Sequence, residues 1–244
     1  MAASPHLVPR QMLPLLRYPV PAGRHRVEQS IDRSRFICTL APATTHEEAQ
    51  RMVRTVAEEM PDANHHCWAI LVGGPGNTSG IGSSDDGEPR GTAGRPMLVA
   101  LLHSGIGDVV AVVTRYFGGI KLGTGGLARA YGGTVQLALG SMPRTEHVAL
   151  TPCSLAVSYP QVDVVKQLLA RHGVTVVAQR YEADVQLQLK VPTDRLSQVR
   201  EAVRDGTRGL AELRVASVDD RSAQTSRAHA REGPVCHGSD DETT

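Results

Sequence analysis

The chain has 244 residues, of which 41% are hydrophobic and 21% charged, so it is long enough for two domains with separate apolar cores. Its 26 basic and 25 acidic residues leave a net charge of +1, which excludes a protein that coats nucleic acid through a large overall positive charge. The four cysteines are widely spaced and the apolar runs are short. These features exclude a disulfide scaffold and a membrane span, and they favour a cytoplasmic location.

Glycine content and the composition of the two ends divide the chain. Eighteen of the 24 glycines fall between Gly73 and Gly140, whereas three lie between positions 150 and 218. Closely spaced prolines at the start and a polar, acidic stretch at the end lack the periodicity of packed elements. We therefore predict a flexible leader over 1–22, a first domain over 23–146, a second domain over 150–218 and a disordered tail over 219–244.

Hydrophobic spacing predicts mixed α/β structure in the first domain. Thr45 can cap a helix, with Glu48 three residues later as the second half of a capping box. The apolar run Val109–Val113 predicts a strand that is covered on both faces. In chain order we expect two short strands over 24–40, a helix over 46–60, a strand over 67–72, a helix over 93–103, a strand over 108–117 and a helix over 127–139.

The second domain has a clearer pattern. Val185, Leu187 and Leu189 alternate with polar residues, which predicts a strand with one buried face. We expect strands over 154–159, 174–181, 184–191 and 210–218, with helices over 162–172 and 193–204. This β-α-β-β-α-β order is typical of a ferredoxin-like antiparallel sheet with both helices on one face. The predicted fold class of the whole chain is therefore α+β.

The densest chemical signal is the glycine-rich segment 115–126, which follows a predicted buried strand and precedes a helix. Glycines free backbone N–H groups, and the positive end of the helix adds to their attraction for an anion. Five basic side chains and one acidic side chain lie between Arg90 and Arg129. A close-packed strand-to-helix junction is the alternative explanation of the glycines. We predict anion or nucleic-acid contact by Arg115, Gly118, Gly119, Lys121, Gly123, Gly125, Gly126 and Arg129.

An acidic loop precedes the predicted helix over 93–103. It carries Asp85, Asp86 and Glu88, and we predict that these carboxylates neutralise and orient the basic side chains of the glycine-rich segment. The alternatives are a structural loop with Thr92 as the helix cap, direct contact with a ligand, or a divalent-cation site.

We predict no catalytic residue, no metal site and no cofactor. His65 and His66 are adjacent on a predicted strand, so they point to opposite faces and cannot easily bind one ion. Cys67 has no evident activating partner. The GxGxxA match at Gly123–Ala128 lies too far beyond its strand for a dinucleotide-binding loop, and hydrolase and kinase motifs are missing from the sequence.

Four motifs carry a resemblance to a known family. They are SDDGEP at 84–89, GTAG at 91–94, RYFGGIKLGTGGL at 115–127 and RAY at 129–131, and the segments 34–37 and 62–65 also fit. Over about residues 24–142 the sequence resembles the IMPACT/YigZ family. The element order of 154–218 agrees with the second domain that bacterial members carry.

The resemblance implies a fold and a cellular process. It implies a first domain similar to the second domain of ribosomal protein S five, and a ferredoxin-like second domain similar to the last domain of elongation factor G. The pair therefore resembles the last two domains of that factor, which suggests contact with the ribosome or RNA. Eukaryotic relatives regulate the initiation of translation under starvation, so the role that this resemblance implies here is linked to translation.

Three functional hypotheses follow. The first is a non-catalytic regulator that binds RNA, the ribosome or a translation factor through the basic glycine-rich segment, and it predicts salt-sensitive binding. The second is an enzyme or binder acting on a small phosphorylated or carboxylated ligand, with Asp85 or Asp86 as general base in an enzyme, and it predicts ligand-induced stabilisation. The third is a protein–protein regulator whose acidic loop faces a basic partner. The sequence leaves the oligomeric state open.

Overall fold

The computed structural model describes residues 16–216 and divides the chain into two compact units, Met1–Ala149 and Leu150–Thr244. Both units mix strands and helices, which confirms the predicted α+β class. Within residues 16–216, no helix is both long enough and apolar enough to cross a membrane. Most of the predicted leader and the whole of the predicted tail lie outside the described residues.

The first unit is built on a five-stranded antiparallel sheet with the order β2-β3-β6-β4-β5 and a separate two-stranded sheet, β1-β7. Its elements in chain order are β1 (Arg17–Pro21), β2 (His25–Ile31), β3 (Ser34–Pro42), α1 (His46–Glu59), β4 (His65–Leu71), β5 (Ile81–Ser84), α2 (Gly94–Leu102), β6 (Val109–Tyr116), α3 (Gly123–Ser141) and β7 (Arg144–Val148).

Strand β6 is the centre of the first unit. The run Val109–Val113 is fully buried, which confirms the prediction of a strand covered on both faces. Val109 and Val113 join the apolar core under α2 and α3, whereas Val110 and Val112 pack with α1 on the opposite face. Because neighbouring strand residues point to opposite sides, one continuous apolar run supplies both cores.

The helix starts show what the sequence pattern could and could not specify. The Thr45 hydroxyl accepts the Glu48 N–H at 3.2 Å, as predicted, while the Glu48 carboxylate binds the Thr44 N–H at 2.8 Å, one residue before the expected partner. Helix α3 begins at Gly123, four residues earlier than predicted. The last glycines of the glycine-rich segment are therefore its first turn, and the loop proper ends at Leu122.

Residues 17–21, which the sequence assigned to the leader, form strand β1 and pair with β7. The Tyr18 hydroxyl donates to Asp108 Oδ2 at 2.8 Å, and its ring stacks on His147 with centroids 4.5 Å apart. The prolines at 19 and 21 suggested interruption, but a strand with a single neighbour tolerates residues that lack an N–H donor.

The second unit has the predicted β-α-β-β-α-β order. Its antiparallel sheet runs β11-β8-β10-β9, so the first and third strands are central, as in a ferredoxin-like fold. One apolar core joins the sheet to both helices. The elements are β8 (Leu150–Val157), α4 (Val162–Arg171), β9 (Thr175–Tyr181), β10 (Val185–Pro192), α5 (Leu196–Gly206) and β11 (Arg214–Val215).

Candidate functional site

The acidic loop and the glycine-rich segment meet at one pocket of the first unit. The last residues of β6 supply one wall, the first turn of α3 a second and the acidic loop a third. The cavity measures about 410 Å³, which is within the range of small-ligand sites. The residues that matter for its chemistry are His65, Glu88, Arg115, Phe117, Lys121 and Leu127.

A buried ion pair forms the floor of the pocket. Arg115 Nη1 donates to Glu88 Oε1 at 2.5 Å, and the two side chains are only 6% and 4% exposed. The Tyr131 hydroxyl donates to the same oxygen at 2.8 Å. The guanidinium carbon of Arg115 also lies 5.4 Å from the Phe36 ring and 5.5 Å from the Phe117 ring, within cation–π range. Arg115, predicted as an anion contact, is therefore committed to partners within the protein.

Asp85 organises the backbone of the acidic loop. Its carboxylate accepts the N–H groups of Gly91 at 2.7 Å, Ala93 at 3.0 Å and Gly94 at 2.8 Å, so it caps the start of α2. Thr92, the cap in the alternative interpretation of a structural loop, instead donates its hydroxyl to the Pro89 carbonyl in its own turn. Burial raises the pKa of Asp85, but the three N–H hydrogen bonds outweigh it and hold the pKa below its ordinary value. A carboxylate so stabilised is a poor general base.

Asp86 joins the acidic loop to β4. Its Oδ2 accepts the backbone N–H of His66 at 2.5 Å, and its carbonyl accepts Nδ1–H of His65 at 2.7 Å. This assigns the other ring nitrogen of neutral His65, Nε2, as an acceptor. Nε2 lies 3.9 Å from Glu88 Oε1. Within residues 16–216, Glu88 is the one loop carboxylate of the three that pairs with a basic side chain of the glycine-rich segment, namely Arg115.

Cys67 is a structural thiol. Its Sγ donates to the Asp85 carbonyl at 2.9 Å, and burial raises the pKa of the thiol to about 12. It therefore stays protonated at neutral pH and cannot act as a nucleophile. Among residues 16–216, no group of three His, Cys, Asp or Glu side chains is placed to hold a metal ion.

The glycines of the segment serve different purposes. A Cβ at Gly118 would collide with the backbone of Arg33, and its N–H already donates to Ser34 Oγ at 3.1 Å. This position fits the alternative of a close-packed junction. Gly119 and Gly123 face open space but adopt φ values of +85° and +70°, a conformation that favours glycine. Their role is to turn the chain into α3.

The exposed positive charge lies beside the start of α3. Lys121 and Arg129 are exposed, and neither makes a hydrogen bond or ion pair with another residue of the described range 16–216. Within residues 16–216, no side chain caps the first turn of α3, so its N–H groups are open to a ligand. Phe117 is 47% exposed on the same side of the junction. We name this the loop–helix surface: Phe117, Lys121, Gly123–Gly126 and Arg129.

Residue-level reasoning missed several members of the site. The Ser34 hydroxyl, besides accepting Gly118 N–H, lies 3.4 Å from Arg115 Nη2. Asn64 Oδ1 accepts the backbone N–H of Phe117 at 2.7 Å. Ser34, Asn64, His65 and Tyr131 all lie in segments that carry the family resemblance, and that was the available signal of their importance.

Comparisons with known proteins agree with this organisation. The chain matches the family model of the Impact N-terminal domain over residues 32–139 and that of a domain of unknown function (DUF1949) over 155–210. It is similar to the IMPACT family member YigZ of Escherichia coli strain K12, with 41% identity over 194 residues that cover 80% of this chain and 95% of the relative. The IMPACT family member YvyE of Bacillus subtilis strain 168 is 34% identical over 193 residues, covering 79% of this chain and 87% of the relative. A crystal structure described as that of a hypothetical protein superposes with a TM-score of 0.64 and 39% identity, covering 84% of this chain and 99% of that one.

Proposed function

The chain belongs to the IMPACT family, and on that premise we propose that it is a non-catalytic, translation-linked protein that binds RNA through the loop–helix surface of its first unit. The supporting observation is the combination of an uncapped helix start with two unneutralised basic side chains, Lys121 and Arg129. A helix N-terminus attracts phosphate through its free N–H groups and its dipole. Exposed Phe117 beside them offers a ring on which a base can stack.

The open face of the second unit's sheet gives the proposal further support. The exposed side chains Lys190 on β10 and Arg180 on β9 lie on the face that the helices do not cover. Gln186, which pairs with Arg180, adds an amide that can bind phosphate or base edges. A ferredoxin-like sheet with basic and amide side chains on its free face is suited to a single strand of RNA.

The two other hypotheses receive less support from the geometry. A general base at Asp85 is disfavoured by its lowered pKa, and Asp86 is held by the His66 backbone. The acidic loop offers little free charge to a basic protein partner, because Asp85 and Glu88 are used inside the unit. The pocket still favours a small anionic ligand as a second candidate, since its volume of about 410 Å³ suits a small molecule and Lys121 lines it.

The experiment that tests the proposal is the salt dependence of RNA binding. We expect a labelled single-stranded RNA to bind the full chain, measured by fluorescence anisotropy, and to lose affinity steeply between about 50 and about 200 mM salt. The Lys121→Ala/Arg129→Ala variant should reduce the slope of log K against log salt by about 1.4, the value for two phosphate contacts on a single strand.

The matched control removes two exposed basic residues of α1, Arg51 and Arg54, on the opposite face of the sheet. The Arg51→Ala/Arg54→Ala variant has the same net charge as the test variant, so it should keep the wild-type slope. Equal losses in the two variants would mean that only overall charge matters, and would contradict the loop–helix surface as the binding site.

A further inference from the structure

The floor of the pocket carries an acceptor that residues 16–216 leave unused. Glu88 Oε1 takes the hydrogen bonds from Arg115 and Tyr131, whereas Oε2 accepts none from residues 16–216. A fully buried Oε2 would be a buried acceptor without a partner, but among residues 16–216 the one buried side-chain nitrogen or oxygen without a partner is Arg115 Nε. Oε2 is therefore reached by solvent, although the side chain is only 4% exposed. Glu88 is one of the residues that line the pocket, so the cavity is the space from which a ligand would approach this oxygen.

A second acceptor lies beside the first. In neutral His65, with Nδ1–H donated to the Asp86 carbonyl, Nε2 is an acceptor, and it lies 3.9 Å from Glu88 Oε1. Arg115 donates to Glu88 through Nη1 and lies within reach of Ser34 through Nη2, while its Nε has no partner but is fully buried and out of a ligand's reach. The floor therefore presents two neighbouring acceptors and calls for a ligand with two neighbouring N–H donors.

The walls and rim define the rest of the ligand. Phe117, Leu122 and Leu127 give the pocket apolar walls suited to a flat ring. Lys121, Thr124 and the first turn of α3 lie at the rim, where N–H groups and positive charge favour a phosphate. The complementary ligand has a planar ring with two adjacent donors and a phosphate at the other end.

We propose that the pocket binds a guanine nucleotide, with the ring N–H and the exocyclic amino group of guanine on Glu88 Oε2 and His65 Nε2, and the phosphate at Lys121 and the start of α3. Guanine presents two adjacent donors on its Watson–Crick edge. Adenine and cytosine place an acceptor beside their amino donor, and uracil places acceptors on both sides of its N–H. Each of these bases would therefore put an acceptor of its own against an acceptor of the protein. The nucleotide is either a free nucleotide or an unpaired residue of an RNA strand. In the second case the inference rests on the proposed function.

The test compares nucleotides and short RNAs on the full chain by isothermal titration calorimetry. We expect guanosine monophosphate to bind about 5- to 150-fold more tightly than adenosine monophosphate, the range for loss of a bidentate base contact. Inosine monophosphate lacks the exocyclic amino group and should fall between them. The single-stranded pentanucleotides UUGUU and UUAUU should show the same order. Binding of UUGUU much tighter than guanosine monophosphate identifies RNA as the source, and equal affinities identify the free nucleotide.

Two variants test the residues. Glu88→Gln replaces the free acceptor by an amide and should bring the guanine-to-adenine ratio close to one. Because it also breaks the buried ion pair, its fold must be checked by circular dichroism. Phe117→Ala changes an exposed side chain and should weaken the binding of guanine and adenine nucleotides alike, by about 5- to 150-fold as for loss of a stacked base. Tyr181→Ala, an exposed aromatic residue of the second unit, is the matched control.

Equal affinity for guanine and adenine nucleotides in the wild type would overturn the inference whatever the variants do. If RNA bound with the expected salt dependence but without preference for guanine, the proposed function would stand and the guanine pocket would fall. If guanosine monophosphate bound selectively and no RNA bound, the pocket would stand and the proposed function would fall.

Discussion

The buried pair of Arg115 and Glu88 allows a quantitative prediction of stability. Replacing Arg115 by Met leaves the Glu88 carboxylate 4% exposed and without its charged partner. Breaking a buried ion pair in this way costs about 3–5 kcal/mol. For a unit of this size each kcal/mol lowers the melting temperature by about 3 °C, so the Arg115→Met variant should melt about 10–15 °C below the wild type.

The assay is urea unfolding followed by tryptophan fluorescence. The chain has one tryptophan, Trp68, which packs in the α1-side core of the first unit and therefore reports on that unit. We expect the unfolding midpoint of Arg115→Met to fall by about 2 M urea. Arg35→Met is the matched control, because it breaks an exposed pair with Glu28 whose side chains are 51% and 46% exposed, and it should change the midpoint little.

A double variant separates the charge from the packing. Adding Glu88→Gln to Arg115→Met removes the unpaired charge and keeps an acceptor for the Tyr131 hydroxyl. It should therefore recover more than half of the lost free energy of unfolding. If Arg115→Met cost less than about 1 kcal/mol, or if the two substitutions added independently, the ion pair would not be the structural centre of the site.

Three further predictions concern the framework of the site. Asp85→Asn should destabilise the first unit by about 1–3 kcal/mol at neutral pH. The pKa of Asp85 is lower in the folded state than in the unfolded state, so the carboxylate contributes its full stabilisation above the unfolded pKa near 4 and loses it as the pH falls toward the folded pKa. Urea titrations below about pH 4 should therefore show a smaller loss of unfolding free energy in the variant than in the wild type. Gly118→Ala should cost about 3 kcal/mol or more because the added Cβ would collide with the backbone of Arg33. Gly125→Ala should be neutral or stabilising because its Cβ would meet only a side chain at 3.5 Å. The melting temperatures of the two variants test this difference. Tyr18→Phe should cost about 1–3 kcal/mol because it removes a donor to buried Asp108, and an unchanged unfolding midpoint would show that this hydrogen bond adds nothing to stability.

Local patterns were enough to predict most of the fold. The strict alternation of Val185, Leu187 and Leu189 and the apolar run Val109–Val113 correspond to real strands because burial on one face or on both leaves a direct trace in the sequence. Strand β1 left no such trace. Its position depends on pairing with β7 and on the contact of Tyr18 with Asp108, which lies 90 residues away in the chain.

The candidate site was predictable in composition but not in its division of roles. Arg115 and Lys121 have equal charge and lie in one motif, yet Arg115 is 6% exposed and paired while Lys121 is exposed. The difference arises because Arg115 is on β6, which pairs with β4 at His65 and faces the acidic loop. Such a contact depends on strand register and cannot be read from spacing along the chain.

The most direct test of the central claim is to map where RNA touches the protein. The full chain would be crosslinked by light to a thiouridine-substituted single-stranded RNA, and the crosslinked peptides identified by mass spectrometry. We expect crosslinks at Phe117 and within the first turns of α3, and their loss in the Lys121→Ala/Arg129→Ala variant. Crosslinks confined to α1, or crosslinks in the first unit that persist unchanged in the variant, would contradict the claim that the loop–helix surface binds RNA.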